Sequence, residues 1–316
     1  MVRPAVAPAS APIGMVPWLA LGVVYVLWGS TYLANKLIIA TVPPLLLGGV
    51  RFVIGGLLLG LVVLAVTGWR AFRMTRAQLG TTALSGLLLP AWGNGLVALA
   101  QQQVASGLAA LLIAAVPLYI ALLRAITGDR PPLATFLGVG VGVVGLAVLL
   151  LAGPSGGSGG VFGNAWWGPW LVLLAGLGWA TGTFCTTRLP VPANPFALAA
   201  VQMLVGGLVL GAISLGIGDR LEVAAVPPVA WWAWSYLSVV VTLGAFSAYA
   251  YALAHLPVST VATYAYVNPV IAVLLGVLLV GERFSAVQLI GGAIVLAAVL
   301  LVIMSERARS RAPAGA

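Results

Sequence analysis

The sequence predicts an all-α membrane protein with ten transmembrane helices, arranged as two inverted five-helix repeats around a central cavity. Three observations carry this expectation. Of 316 residues, 62% are hydrophobic and only 6% are charged, whereas soluble domains carry about a quarter charged residues. Apolar runs of about 20 residues, the length that crosses a bilayer, recur along the whole chain. The two halves also match each other at a nearly constant offset.

Breaks at Pro, Gly and charge delimit the helices at 17–41, 44–67, 77–100, 105–127, 133–152, 166–187, 195–217, 228–254, 258–280 and 285–304. Residues 1–16 are rich in Pro and Ala and lack a signal-peptide layout, so they read as a disordered cytoplasmic tail. Residues 17–152 form the first five-helix repeat and 166–304 the second. Between them, 153–165 contain the uncharged GPSGGSGGVFGN, an external linker, and 305–316 form a basic cytoplasmic tail.

Lys and Arg set the orientation. With the N-terminus inside, Arg3, Arg70, Arg73, Arg76, Arg124, Arg130, Arg188, Arg307, Arg309 and Arg311 fall on the cytoplasmic side, and only Arg220 and Arg283 on the other. That is a strong positive-inside bias, with both termini cytoplasmic. The net charge of +9 would suggest nucleic acid in a soluble chain; in these short loops and tails it fixes topology, and no nucleic-acid partner is expected.

Other function classes are narrowed by what is missing. One cysteine, Cys185, allows no intrachain disulfide, and one histidine, His255, no His-based metal cluster. No nucleotide-binding motif is present, which excludes a primary pump on this chain alone. Paired mid-span acids, a His-rich motif and a Ser-His pair are also missing, so the chain reads as a non-enzyme without cofactor.

The repeat rests on four matches. GDRPPLATFLG (128–138) aligns with GERFSAVQLIG (281–291) at an offset of 153, Pro117 with Pro269 at 152, and both Trp28 with Trp179 and Pro44 with Pro195 at 151. Five helices per half is odd, so the second half enters the bilayer from the opposite side. Inverted repeats are a transporter architecture, with the substrate site near the midplane between them.

Ten spans as two fives, Trp28-Gly29 in the first span, ASGLAALL (105–112) with Pro117 downstream, and GERF before the last span resemble the EamA-type drug/metabolite transporters. The resemblance covers roughly residues 17–304. Length and aromatic content look most like the YddG-type exporters of aromatic amino acids. It implies a basket of helices around a cavity, alternating access, and export of amino acids and related small metabolites across the inner membrane. Its alternatives are an exporter of lipophilic cations or drugs and a gated metabolite channel. The expected partners are the small-molecule substrate and the lipid bilayer, with the chain acting as a monomer or, alternatively, a dimer. One departure concerns Asn268, which stands before Pro269 where many members carry Glu; this puts carboxylate-dependent coupling there in doubt.

The candidate substrate-binding residues lie on polar stripes. Trp28, Thr31, Tyr32 and Asn35 follow i, i+3, i+4, i+7 and share one helix face. The pattern recurs with Trp179, Thr183 and Thr186, and with Thr260, Thr263, Tyr264 and Asn268. The third span adds Trp92, Asn94 and Gln101, and the eighth Thr242, Phe246 and Tyr249. Small polar residues can simply hold membrane helices together, for about 0.6 kcal/mol each. Trp, Tyr and Asn converging near mid-span point instead to a cavity, because lipid-facing polar groups are costly. Indole and phenol would suit an aromatic or amphiphilic solute. Trp166, Trp167 and Trp170, like Trp231, Trp232 and Trp234, lie at span ends and read as interfacial belts.

Two cations stand within spans. Lys36 is roughly 8 Å from the outer end of its helix and can snorkel to the headgroups. Arg51 is deeper, roughly 10 Å in, and needs a partner or water; it attracts a substrate carboxylate or ties carbonyls at the outer mouth. The acids Asp129, Asp219, Glu222, Glu282 and Glu306 fall in loops or at span ends, and Asp129-Arg130 and Glu282-Arg283 read as local ion pairs.

Overall fold

A computed structural model of the chain describes residues 14–129, 131–151, 167–256 and 258–311. The tail read at 1–16 lies almost wholly outside the described residues, as does the linker read at 153–165. Among the described residues every regular element is helical, as an all-α membrane protein requires.

Nine helices there are long and apolar enough to cross a membrane. They are α1 (Met15–Ile39), α2 (Pro44–Thr67), α3 (Arg76–Ala100), α4 (Ser106–Ile126), α5 (Leu133–Leu151), α6 (Trp167–Arg188), α7 (Pro195–Gly216), α8 (Pro228–His255) and, after the shorter α9 (Tyr264–Val280), α10 (Ala286–Arg311). The continuous span expected over 258–280 is divided into a single turn, Val258–Val261, and α9. The last helix also runs on to Arg311, beyond its expected end at 304.

Local chemistry explains the starts and breaks. Thr75 and Gln78 form a reciprocal capping box at the head of α3, and Ser285 and Gln288 do the same before α10, each meeting backbone donors that a helix start leaves free. Asn194 accepts from the backbone N–H of Phe196 and Ala197 to cap α7. Proline accounts for the break in α4, whereas Pro269 is carried inside α9. α4 interrupts at Ala114 and Ala115 just ahead of Pro117, and the Ala262-Thr263 turn precedes Pro269. A proline removes one N–H and crowds the preceding turn.

Two further irregularities lie deep in the bundle. Leu87–Asn94 of α3 and Tyr236–Ala245 of α8 are π-helical. Wider turns leave carbonyls poorly matched, and a side chain five residues on takes one up in each. Asn94 Nδ2 donates to the Leu89 carbonyl at 3.2 Å, and Thr242 Oγ1 to the Leu237 carbonyl at 3.1 Å. Such π segments recur at functional sites.

Packing follows a regular scheme. α2 lies along α7 and α5 along α10; α1 packs on α8 and α9, and α6 on α3 and α4. Small residues allow the close seams: a Cβ added at Gly207 would stand 2.7 Å from the Val53 nitrogen. One buried apolar cluster joins α4, α5, α6 and α10 around Leu112, Leu146 and Val299, and another joins α1, α2 and α8 around Ile38, Leu47 and Leu237. Between these clusters the bundle is hollow.

Candidate functional site: a cavity with an aromatic wall and one arginine

A cavity of ≈ 420 Å³ opens between α1–α4 and α6–α9, with α5 and α10 contributing nothing to its lining. Its volume suits a small organic solute. One wall is aromatic. Trp28 meets Tyr264 edge-on with centroids 4.9 Å apart, and Phe246 likewise at 6.0 Å. Tyr249 stands behind, 5.2 Å from Trp28 and 5.9 Å from Tyr264. Edge-to-face pairs hold the rings in fixed orientation, so Trp28 presents a pre-set surface to the cavity.

Another part of the lining is largely polar. Tyr32, Asn35, Arg51 and Asn94 line it from the first half of the chain, and Trp179, Thr183 and Asn268 from the second. Asn35 is fully engaged: its Nδ2 donates to Gln101 Oε1 at 3.3 Å, while its Oδ1 accepts from Arg51 Nη1 at 3.5 Å. Gln101 Nε2 donates onward to the Tyr32 carbonyl at 2.8 Å. This chain of amides ends at the guanidinium and steers it.

Three expected site residues do not line the cavity. Gln101 is wholly buried behind Asn35, where its amide positions the lining and does not face it. Tyr249 supports Trp28 from behind. Trp92 turns outward, 44% exposed, and donates from Nε1 to the Leu174 carbonyl at 2.9 Å. Its ring covers Gly178, while Trp179 covers Gly93 in a reciprocal arrangement between α3 and α6. Trp92 is therefore a packing residue, and Trp179 serves both packing and lining. Periodicity did not single out Phe52, Gln202 and Met203, which line the cavity from α2 and α7.

The expected roles of several charged and aromatic groups change. Lys36 has a protein partner: its Nζ donates to the Gln101 carbonyl at 2.6 Å, at the C-terminal end of α3, where unpaired carbonyls attract a cation. Glu282 does not pair with Arg283 but accepts from the backbone N–H of Ser106 (2.7 Å) and Gly107 (3.1 Å), capping α4 from across the molecule. Asp129 pairs with Arg124 at 2.7 Å and Arg188 at 3.6 Å, while Arg130 lies outside the described residues. Trp234 is no belt residue: it is 4% exposed and donates to the Leu47 carbonyl at 3.2 Å. Trp170 and Trp232 are exposed, as interfacial anchors would be.

Comparisons with known proteins converge on one description. A model of the EamA-like transporter family matches residues 16–151 and again 166–304. The inner membrane transporter YedA of Escherichia coli K12 is 35% identical over 289 residues, covering 91% of this chain and 90% of that protein. A chloroplastic WAT1-related protein of Arabidopsis thaliana is 28% identical, covering 92% of this chain and 70% of that one. A Streptantibioticus cattleyicolor protein named "Probable terminal-alkyne amino-acid exporter" is 28% identical, covering 74% of each chain. A solved crystal structure superposes with TM-score 0.62 at 20% identity, covering 93% of this chain and 98% of that one, a likeness of fold alone.

Proposed function

The chain belongs to the EamA-like transporter family, and from that membership we propose a secondary transporter that exports amino acids, aromatic and neutral ones foremost, across the inner membrane by alternating access. The observation that carries this reading is the cavity itself: aromatic rings, polar groups and one arginine in a single lining, enclosed by helices from both halves. An amino acid with a ring or alkyl side chain combines matching apolar and polar groups. The S. cattleyicolor relative, named a probable terminal-alkyne amino-acid exporter, supports this substrate class, and the uncharacterized inner membrane transporter YedA supports this membrane.

Alternating access follows from treating the chain as two inverted five-helix repeats, 17–152 and 166–304, joined by an external linker. Exchanging the halves (α1 for α6, α2 for α7, and so on) maps the packing scheme onto itself: α1 on α8 and α9 becomes α6 on α3 and α4. The two π segments fall at corresponding positions as well. Two like halves can rock about a fixed site and open it to each side in turn. The arginine bias supports an orientation with both termini in the cytoplasm and the end bearing Lys36 and Glu282 outside. One chain contains the whole cavity, which supports a monomer as the transporting unit.

Uptake into proteoliposomes containing the purified chain tests the reading. Labelled phenylalanine is expected to enter saturably and to be competed by tyrosine and leucine. Uptake of tetraphenylphosphonium with none of any amino acid would overturn it in favour of a lipophilic-cation exporter.

A further inference from the structure

Arg51 is the group in the cavity with the strongest claim on a ligand. It is 7% exposed, in the middle of an apolar helix, and its guanidinium stays charged. A buried charge is tolerated when paired, yet among the described residues no Asp or Glu lines the cavity with it. Its hydrogen bond to Asn35 Oδ1 is long, at 3.5 Å, and the Phe52 ring lies 5.0 Å from its central carbon. Its Nε is buried and has no hydrogen-bond partner among the protein atoms. A second orphan lines the same cavity: Asn268 Oδ1, also buried and unpartnered, is an acceptor. One wall thus offers an unmet donor fork and another an unmet acceptor, beside the Trp28–Tyr264 aromatic surface.

We propose that Arg51 is a carboxylate anchor, so that the site selects solutes by an anionic carboxylate and rejects cations, with Asn268 receiving a donor group elsewhere on the same solute. A guanidinium presents Nε and Nη as a fork that matches the two oxygens of a carboxylate. The Asn35–Gln101–Tyr32 chain holds one Nη from behind, leaving Nε free to bind. A carboxylate would neutralise the buried charge, which a cationic or uncharged solute cannot do. The inference rests on the cavity being the substrate site of the transporter proposed above. It adds that carboxylates without an amino group bind too, because the anion is the principal determinant.

The test is ligand binding to the purified full chain in detergent, followed by tryptophan fluorescence, with phenylalanine, 3-phenylpropanoate, phenylalanine methyl ester and phenethylamine. The two carboxylates are expected to bind more tightly than the ester and the amine by roughly tenfold to a hundredfold. Arg51→Gln is expected to erase that difference and Arg51→Lys to restore part of it. Should the variants fail to fold, the four ligands on the unaltered chain decide the matter. Equal binding of acid and ester overturns the carboxylate anchor and leaves the aromatic cavity standing. Binding of 3-phenylpropanoate without phenylalanine upholds the anchor and overturns the amino-acid reading. Binding of none overturns both.

Discussion

Trp28 shows how one residue joins packing to recognition. Its ring touches Phe246, Tyr249 and Tyr264 on one side and the cavity on the other. An aromatic pair contributes about 0.5–1.5 kcal/mol beyond its buried area, so removing the indole weakens the wall and, under the proposed function, the stacking of a solute on it. Trp28→Ala is expected to lower transport by roughly tenfold while the protein still purifies as a single folded species, and Trp28→Phe to keep an intermediate rate. Initial rates in proteoliposomes, with size-exclusion profiles alongside, check this; unaltered transport by Trp28→Ala would reduce the stripe to packing. The stripe on α1 was legible in the sequence because helix periodicity puts Trp28, Thr31, Tyr32 and Asn35 on one face, and all four line the cavity. Gln101 shares the polar chemistry yet lies behind the lining, because its amide satisfies Asn35 and the Tyr32 carbonyl. Phe52 and Gln202 show no stripe at all; only the packing of α2 on α7 brings them to the cavity.

At the scale of elements, apolar length and proline positions read well, whereas hydrogen-bond register does not. The break ahead of Pro117 follows from a missing N–H, whereas Pro269 sits inside α9 and leaves the turn at Ala262-Thr263 without a proline of its own. The π segments of α3 and α8 have no local sequence mark beyond Pro90, since Tyr236–Ala245 contains no proline. The seam between α3 and α6 was equally hidden. Trp92-Gly93 and Gly178-Trp179 are ordinary dipeptides until the helices meet and each indole covers the other's glycine. A methyl group at Gly178 would fall within the van der Waals envelope of the Trp92 ring, and overpacking of this kind costs typically about 1–3 kcal/mol. Gly178→Ala is therefore expected to lower the thermal unfolding temperature in detergent. Gly140→Ala, where no neighbour lies within 4 Å, is expected to leave it unchanged. Equal behaviour of the two variants would contradict the reciprocal indole seam.

At the scale of the whole molecule, the charges divide by task. Arg124, Asp129 and Arg188 gather at one end of the bundle, while Lys36 and Glu282 pin the connection between α3 and α4 at the other. Glu282, a residue of the second half, thereby holds the first half at the head of α4. The cavity between these ends is lined, among the described residues, by no Asp, Glu or His. His255, the single histidine, is exposed at a helix end and stacked on Tyr251. Proton coupling needs a titrating group that both sides reach in turn, as intramembrane acids and histidines do in pumps. With no such group in the lining among the described residues, the proposed transporter is expected to work under the substrate gradient alone. Counterflow tests this most directly: proteoliposomes loaded with unlabelled phenylalanine, at equal internal and external pH and with a protonophore present, are diluted into labelled phenylalanine. A transient accumulation of label above its equilibrium level is expected. No accumulation, or accumulation only when a pH gradient is imposed, would contradict transport under the substrate gradient alone.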